Sequence, residues 1–164
     1  MELDTPQIRS RCFDQLVSSD NLTDASAALV SLANNECEER KEALRWFYDR
    51  WQDEALVLDK WFAVQATSRL PGTLEAVKAL TVHPKFDIKN PNKVRAVIGA
   101  FCHGNHAQFH SLDGEGYSFA ADKIVELDRI NAQIAARLCR AFDRWRLFDK
   151  ERQIQKHQIN YHDQ

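Results

Sequence analysis

The sequence predicts an all-α fold: a superhelical array of antiparallel helix pairs, a solenoid of the HEAT/armadillo kind, with a closed helical bundle as the alternative. Three observations predict it. Glycine and proline number only five and four in 164 residues, far fewer turn formers than a sandwich or barrel of this length requires. Apolar residues recur at three- and four-residue spacing through most of the chain, and no stretch alternates with a period of two. The segments so defined pair off at intervals in the thirties, the spacing of stacked helix hairpins, although no repeated sequence motif accompanies it.

Each element follows from its own signals. Thr5 before Pro6 reads as an N-cap and a first-turn proline, and Ile8, Cys12, Phe13, Leu16 and Val17 carry the helix to about Ser19. Thr23 is the expected cap of a second helix, with Ala27, Leu29, Val30 and Leu32 on its apolar side. A third runs from Glu36 to about Arg50 with Cys37, Leu44, Phe47 and Trp51 in register, acidic at its start and basic afterwards, the sense the macrodipole favours. Asp53 opens a fourth through Leu56, Val57, Lys60, Trp61, Val64 and Thr67, stopped by Pro71-Gly72, and Thr73 starts a short fifth through Leu80. After a loop from His83 to Asn90, the pair Asn90-Pro91 launches a sixth through Val94, Val97, Ile98 and Phe101. A second loop is expected from about His103 to Gly116. Beyond it lie a seventh helix, with Phe119, Ile124, Val125 and Leu127 inward, and an eighth capped by Asn131, with Ile134, Ala135, Leu138, Phe142 and Trp145 buried. A polar ninth begins at Asp149 and frays toward the end of the chain.

Composition narrows the function classes. Hydrophobic residues make up 44% and charged residues 28% of the chain, which suits one soluble domain over residues 1–164 and excludes a fibrous or disordered chain. The 22 basic and 24 acidic residues leave a net charge of −2, so no global field calls for nucleic acid or an anionic membrane. No apolar run approaches the ~20 residues of a membrane span, and the N-terminal residues carry no signal-peptide stretch. Cys12, Cys37, Cys102 and Cys139 form no C-x-x-C pair and read as small core residues in a reducing compartment.

Motifs that carry chemistry are few. His103, His106 and His110, beside Cys102, would share one face of a continuous helix and could then bind zinc. Gly104-Asn105 falls inside the triplet and argues for a helix end and a polar loop instead. No H-E-x-x-H, P-loop, G-x-G-x-x-G or G-x-S-x-G occurs. Asp113-Gly114-Glu115-Gly116 lacks the alternating oxygens of a calcium loop and reads as a turn. Trp46, Trp51, Trp61 and Trp145 sit at core spacing, so packing accounts for them.

These residues alone describe a soluble all-α binding or structural module. NPNKVRAVIGAF (Asn90–Phe101) and FHSLDGEGYSFAADKIVELDRINAQIAARL (Phe109–Leu138) go further, because together they resemble the C-terminal domain of the bacterial aminopeptidase N group, zinc aminopeptidases of the M1 family. The resemblance is dense over about residues 84–153, including RLFDKERQ at Arg146–Gln153, and upstream it includes TSRLPGTLEAVKAL at Thr67–Leu80. The chain departs from that family in lacking the catalytic domain, with its H-E-x-x-H and G-A-M-E-N motifs. It also reads Asn131-Ala132 where the family usually has Asn-Pro, and it stops at Gln164 before the last expected helices. These departures suggest a piece of a larger enzyme, with apolar surface left exposed near the first helix pair and open to a hydrophobic dye.

The resemblance implies that the domain closes the chamber over a zinc site and controls entry of peptides, and that it is inactive alone. It implies zinc in the parent enzyme and no cofactor in this chain. Its partners are then the catalytic domain of the same polypeptide and peptide substrates, without nucleic acid or membrane, in the cytoplasm. Family members carry arginines that meet the carboxyl-terminal side of the peptide, and the matching positions are Arg95 and Arg137. A guanidinium suits that task because it keeps its charge and grips a carboxylate with two bonds. A solvated surface arginine or a helix-pair salt bridge is the plainer reading of either residue. No catalytic residue can be assigned. The alternative function is a free-standing helical-repeat scaffold that binds another protein along one face.

Overall fold

Helix starts dictated by short polar caps set the frame of the molecule. The computed structural model describes residues 5–143, and all regular structure among them is helical. Thr5 accepts a hydrogen bond from the Ile8 N–H at 3.4 Å, and Pro6 occupies the first position of α1 (Pro6–Ser18). α2 (Leu22–Ala33) starts earlier than Thr23 suggests, because Asn21 is the cap. Its Oδ1 accepts from the Asp24 N–H at 2.9 Å while its Nδ2 donates to the Asp24 carboxylate at 2.8 Å, a doubly fixed cap that a threonine cannot match.

The buried face of α2 also differs from expectation. Ala25, Ala28, Leu29, Leu32 and Ala33 face inward, while Ala27 is exposed and Val30 is 47% exposed. Because α2 is wedged against α1, α3 (Glu38–Trp51) and α4 (Ala55–Ala66), close approach selects alanine over the bulkier valine. Both α3 and α4 begin two residues later than expected. Leu56 is 73% exposed, and Leu58, Trp61, Phe62 and Ala66 form the inward face of α4. Gly72, at φ +80°, turns the chain into α5 (Thr73–Thr81).

Asn90 and Pro91 start α6 (Pro91–Val94) as expected, with Asn90 Oδ1 accepting from the Asn92 N–H at 3.0 Å. That helix passes without a break through a π-helical stretch (Arg95–Gly99) into α7 (Ala100–Gly104). The expected loop from His103 to Gly116 is therefore largely replaced by structure. α7 extends through His103, α8 (His106–Phe109) follows directly, and only a tight turn separates it from α9 (Glu115–Cys139). Gly116 lets α9 start there, since a Cβ would lie 2.6 Å from the Phe109 carbonyl oxygen. In the turn, Gly114 takes φ +73° and Asp113 accepts from the Ser111 hydroxyl and from the Glu115 N–H. The Ser111 hydroxyl, with the Glu115 N–H, holds the Asp113 carboxyl below its usual value.

α9 contains the two helices expected here. Asn131 breaks it with extended backbone, at φ −156° and ψ 92°, and its Oδ1 caps the second half by accepting from the Ile134 N–H at 3.2 Å. Val125, expected inward, is 39% exposed, and Ile124 is half-buried. A 3-10 turn (Arg140–Phe142) ends the described chain, so Trp145, RLFDKERQ at 146–153 and the ninth helix lie outside the described residues. Of the cysteines read as core residues, Cys102 is buried, Cys12 and Cys37 are half-buried and Cys139 is exposed.

The elements stack as helix pairs. α1 packs on α3 in one layer, and α2, α4 and the π-helical stretch pack in succession in the other, with α9 against α7 and α8. Side chains at the helix ends stitch successive pairs together. Ser68 Oγ donates to the Ala33 carbonyl at 2.8 Å, and Asn34 Oδ1 accepts from the Arg69 N–H at 2.9 Å. One pair further on, Asn105 Nδ2 donates to the Ala66 and Ser68 carbonyls at 3.1 and 2.7 Å, and Gln108 Nε2 donates to the Arg69 carbonyl at 3.1 Å. These bonds join residues 35 to 39 apart, which gives the spacing in the thirties a physical basis: each joint satisfies the orphan carbonyls at the end of the preceding helix. The core between the layers is rich in edge-to-face aromatics, including Phe101–Phe109 at 5.9 Å and Phe109–Tyr117 at 5.3 Å. Ile8, Val17 and Val30 stand at the surface of the first pair. Among the described residues, no helix is long and apolar enough to cross a membrane.

Candidate functional site

Two arginines 42 positions apart in sequence, Arg95 and Arg137, line one cavity. It encloses about 230 Å³ between the start of the α6–α7 helix and the second half of α9. Pro91, Val94, Ile134 and Leu138 make its wall apolar, and Arg95, His103 and Arg137 supply the polar groups. Such an arrangement, a mostly apolar wall with a few convergent polar groups, is what a ligand pocket needs. Arg95 and Arg137 are both exposed, and among the described residues neither has an ion-pair partner.

The cavity is the middle of a longer groove. On one side it adjoins a hollow of about 630 Å³ between α4 and α6–α7, lined by Leu56, Ala63, Ala96 and Ala100 and edged by Arg95 and His103. On the other it adjoins a hollow of about 590 Å³, where Cys102, His103, His106 and His110 face Arg137, Arg140 and Asp143. Arg95 borders the first two hollows and Arg137 the last two, while His103 borders all three.

Local structure explains this alignment. In a regular α-helix, residues eight apart point about 80° away from each other. The Ala100 N–H instead donates to the Arg95 carbonyl five residues back, and the extra residue of a π turn restores the register. Arg95 and His103 therefore come to the same side. The helix that carries them is held against α4 by a nearly buried ion pair, Lys93 Nζ to Asp59 Oδ1 at 2.5 Å, with side chains 8% and 17% exposed. Lys93 also donates to the Ala55 carbonyl at 3.3 Å and lies 5.5 Å from the centre of the Phe62 ring.

The electrostatics of the groove favour an anion. Burial, and next the charge of Arg140, push the His103 imidazole below its ordinary pKa, while a backbone hydrogen bond at Arg137 and the Asp143 carboxylate act the other way. Arg140 and Asp143 pair loosely at 3.6 Å. Burial drives the Cys102 thiol far above its ordinary value, so it is no nucleophile.

The three histidines do not form a metal centre. His103 lies on α7, before the break at Asn105, and His106 and His110 lie beyond it. The His106 ring stacks on that of His110 with centroids 5.6 Å apart, and His110 Nδ1 is engaged by the Tyr117 hydroxyl at 3.0 Å. Among the described residues, no group of three or more His, Cys, Asp or Glu could hold a metal ion. The tryptophans of the described chain pack as expected, with Trp61 Nε1 donating to the Leu44 carbonyl at 2.8 Å. His103 as a neighbour of both arginines was not found from sequence, since its eight-residue distance from Arg95 signals a shared face only once the π turn is known.

Comparison with known proteins places this geometry in context. A family model described as a domain of unknown function, DUF3458_C, with ARM repeats, matches residues 1–159. Aminopeptidase N of Caulobacter vibrioides is 43% identical over 131 residues, which cover 80% of this chain and 15% of that protein. Aminopeptidase N of Escherichia coli is 39% identical over 139 residues, covering 85% of this chain and 16% of that protein. Among solved structures, aminopeptidase A of Legionella pneumophila in complex with aspartic acid superposes with a TM-score of 0.90 at 36% identity, covering 96% of this chain and 19% of that one. The chain thus spans about one-sixth of the curated relatives it matches. The resemblance to the C-terminal helical domain of bacterial aminopeptidase N, and the helical-repeat fold class, are both borne out.

Proposed function

We infer, from the premise that this chain belongs to the DUF3458_C family of ARM-repeat domains, that it is the part of an aminopeptidase that closes the active-site chamber and governs which peptides enter. The parent enzyme removes N-terminal amino acids from peptides. A zinc ion held by a catalytic domain of the same polypeptide would supply the Lewis acid and the activated water for that reaction. In this reading the zinc belongs to that catalytic domain, no group among the described residues of this chain could hold a metal ion, and the domain alone is inactive. We place the enzyme in the cytoplasm, in keeping with four free cysteines.

One observation carries this reading: Arg95 and Arg137, drawn from two separate helices, share an apolar-walled cavity without ion-pair partners among the described residues. Paired cations of this kind suit the carboxylate end of a peptide whose amino end lies at the zinc. The apolar wall of Val94, Ile134 and Leu138 lowers the local dielectric and strengthens that attraction.

Kinetics of the full-length enzyme test the reading. Arg95→Ala and Arg137→Ala should each raise KM for short peptides with a free carboxylate by about fivefold to tenfold, the size of one solvent-exposed hydrogen bond of about 1 kcal/mol net. A chromogenic amino-acid amide lacks that carboxylate and should be cleaved at the unchanged rate. Equal losses on both substrates would overturn the role of the arginines.

A further inference from the structure

We propose that His103 is a third substrate-positioning residue of this groove, joining Arg95 and Arg137 around the peptide carboxylate and making the grip on peptides stronger as pH falls. The inference rests on the reading that the two arginines meet the peptide, and it extends that reading to a residue that sets when the grip is strong.

The geometry carries it. Among the described residues, His103 is the one that borders all three hollows of the groove, and it stands between Arg95 on its own helix and Arg137 on α9. The π-helical stretch, where the Ala100 N–H reaches back to the Arg95 carbonyl, brings it onto the side of Arg95. The residue is partly open to solvent, so an incoming ligand can reach it. Among the described residues, no group of three or more His, Cys, Asp or Glu around it could hold a metal ion.

The charged and titratable groups around it make it a responsive cation. α4 contributes Asp59, whose charge is already matched by Lys93 at 2.5 Å. Its own helix adds Arg95 and the buried Cys102, and α8 with its end adds His106 and His110. α9 and the turn after it add Arg137, Arg140 and Asp143. Among the described residues, cationic neighbours outnumber free carboxylates, so the groove resists a further positive charge. Burial first, and Arg140 next, hold the imidazole below its ordinary value. An arriving carboxylate reverses that balance and draws a proton onto the ring, and this coupling makes peptide binding pH-dependent in the range where histidine titrates.

The test compares two substrates in the full-length enzyme. The ratio of kcat/KM for trialanine to that for alanine p-nitroanilide cancels the pH dependence of the zinc chemistry, because only the peptide carries a carboxylate. That ratio should rise about fivefold between about pH 8 and about pH 6. In His103→Gln it should stay flat at the high-pH value, and in His103→Arg flat and at least as high as the low-pH value. A His103→Gln enzyme whose ratio rises as steeply as the parent's overturns the proposal. Arg95→Ala and Arg137→Ala measured beside it separate the two readings. If they leave the ratio unchanged, the carboxylate role of the groove falls; if they lower it while His103→Gln keeps the parent's slope, only the role of His103 falls.

Discussion

The joint at Asn105 offers the sharpest test of how the helix pairs are held together. Asn105 is 2% exposed. Its Nδ2 donates to the Ala66 and Ser68 carbonyls, at 3.1 and 2.7 Å, and its Oδ1 caps α8 by accepting from the Gln108 N–H at 3.2 Å. Asn105→Ala removes all three bonds and strands two carbonyls in a dry joint. Each stranded group costs about 1–2 kcal/mol, and the lost cap about 1 kcal/mol, so the expected destabilisation is about 3–5 kcal/mol. That is a large share of the roughly 5–15 kcal/mol available to a domain. Urea unfolding followed by tryptophan fluorescence measures it, since Trp46, Trp51 and Trp61 lie in the pairs the joint connects. Asn105→Asp is the discriminating control. It keeps the acceptor for Gln108 but turns a negative oxygen toward two carbonyls, so at neutral pH it should be no more stable than the alanine variant. An alanine variant within about 0.5 kcal/mol of the parent, or an aspartate variant clearly more stable than alanine, would refute the reasoning.

Three further outcomes follow from the same structure. Lys93→Met or Asp59→Asn leaves one partner of a pair with side chains 8% and 17% exposed, and each should cost about 3–5 kcal/mol by urea unfolding. The Lys93→Met/Asp59→Leu double variant should recover most of that loss, and a simple sum of the single effects would count against a desolvated pair. His83 packs edge-on against Tyr48, Phe62 and, tilted, Trp61, at 5.4 to 5.6 Å, and burial, then Lys85, depresses its pKa. The unfolded chain then binds more protons as pH falls through the ordinary histidine value near ~6.5, so stability should drop between about pH 7.5 and about pH 5.5. His83→Gln should shrink that drop, and a slope of opposite sign would contradict the assignment. Gly116→Ala places a Cβ 2.6 Å from the Phe109 carbonyl oxygen and should lower Tm at a cost of about 1–3 kcal/mol; an unchanged Tm would show that α9 can slide off α8 freely.

Much of the fold was legible because caps act locally. Thr5-Pro6, Asn90-Pro91 and Asn131 each start a helix through bonds to residues two or three positions on, and the structure shows those bonds. At the second helix, Asn21 and Thr23 are both plausible caps, and only the second bond from Asn21 to Asp24 decides between them. The face of α2 was misjudged because hydrophobicity favours Val30, whereas the crowded contact with three helices selects Ala25 and Ala28. The joints at Ser68 and Asn105 link residues 35 to 39 apart, a distance no local signal spans. For the same reason, Arg95 and Arg137 could be named only through resemblance. His103 was read as one of a histidine triplet, because the π turn that aligns it with Arg95 has no mark in the residues themselves.

The proposed function requires this chain to be one domain of a larger aminopeptidase. Its most direct test is the length of the native polypeptide that carries it. Immunoblotting of native extracts against this chain, followed by peptide mapping of the band, should find it in one polypeptide about five times its length, as in the relatives it matches. The same band should yield peptides bearing an H-E-x-x-H motif. A native product of 18.9 kDa with no longer form would contradict the claim and leave a free-standing helical-repeat scaffold in its place.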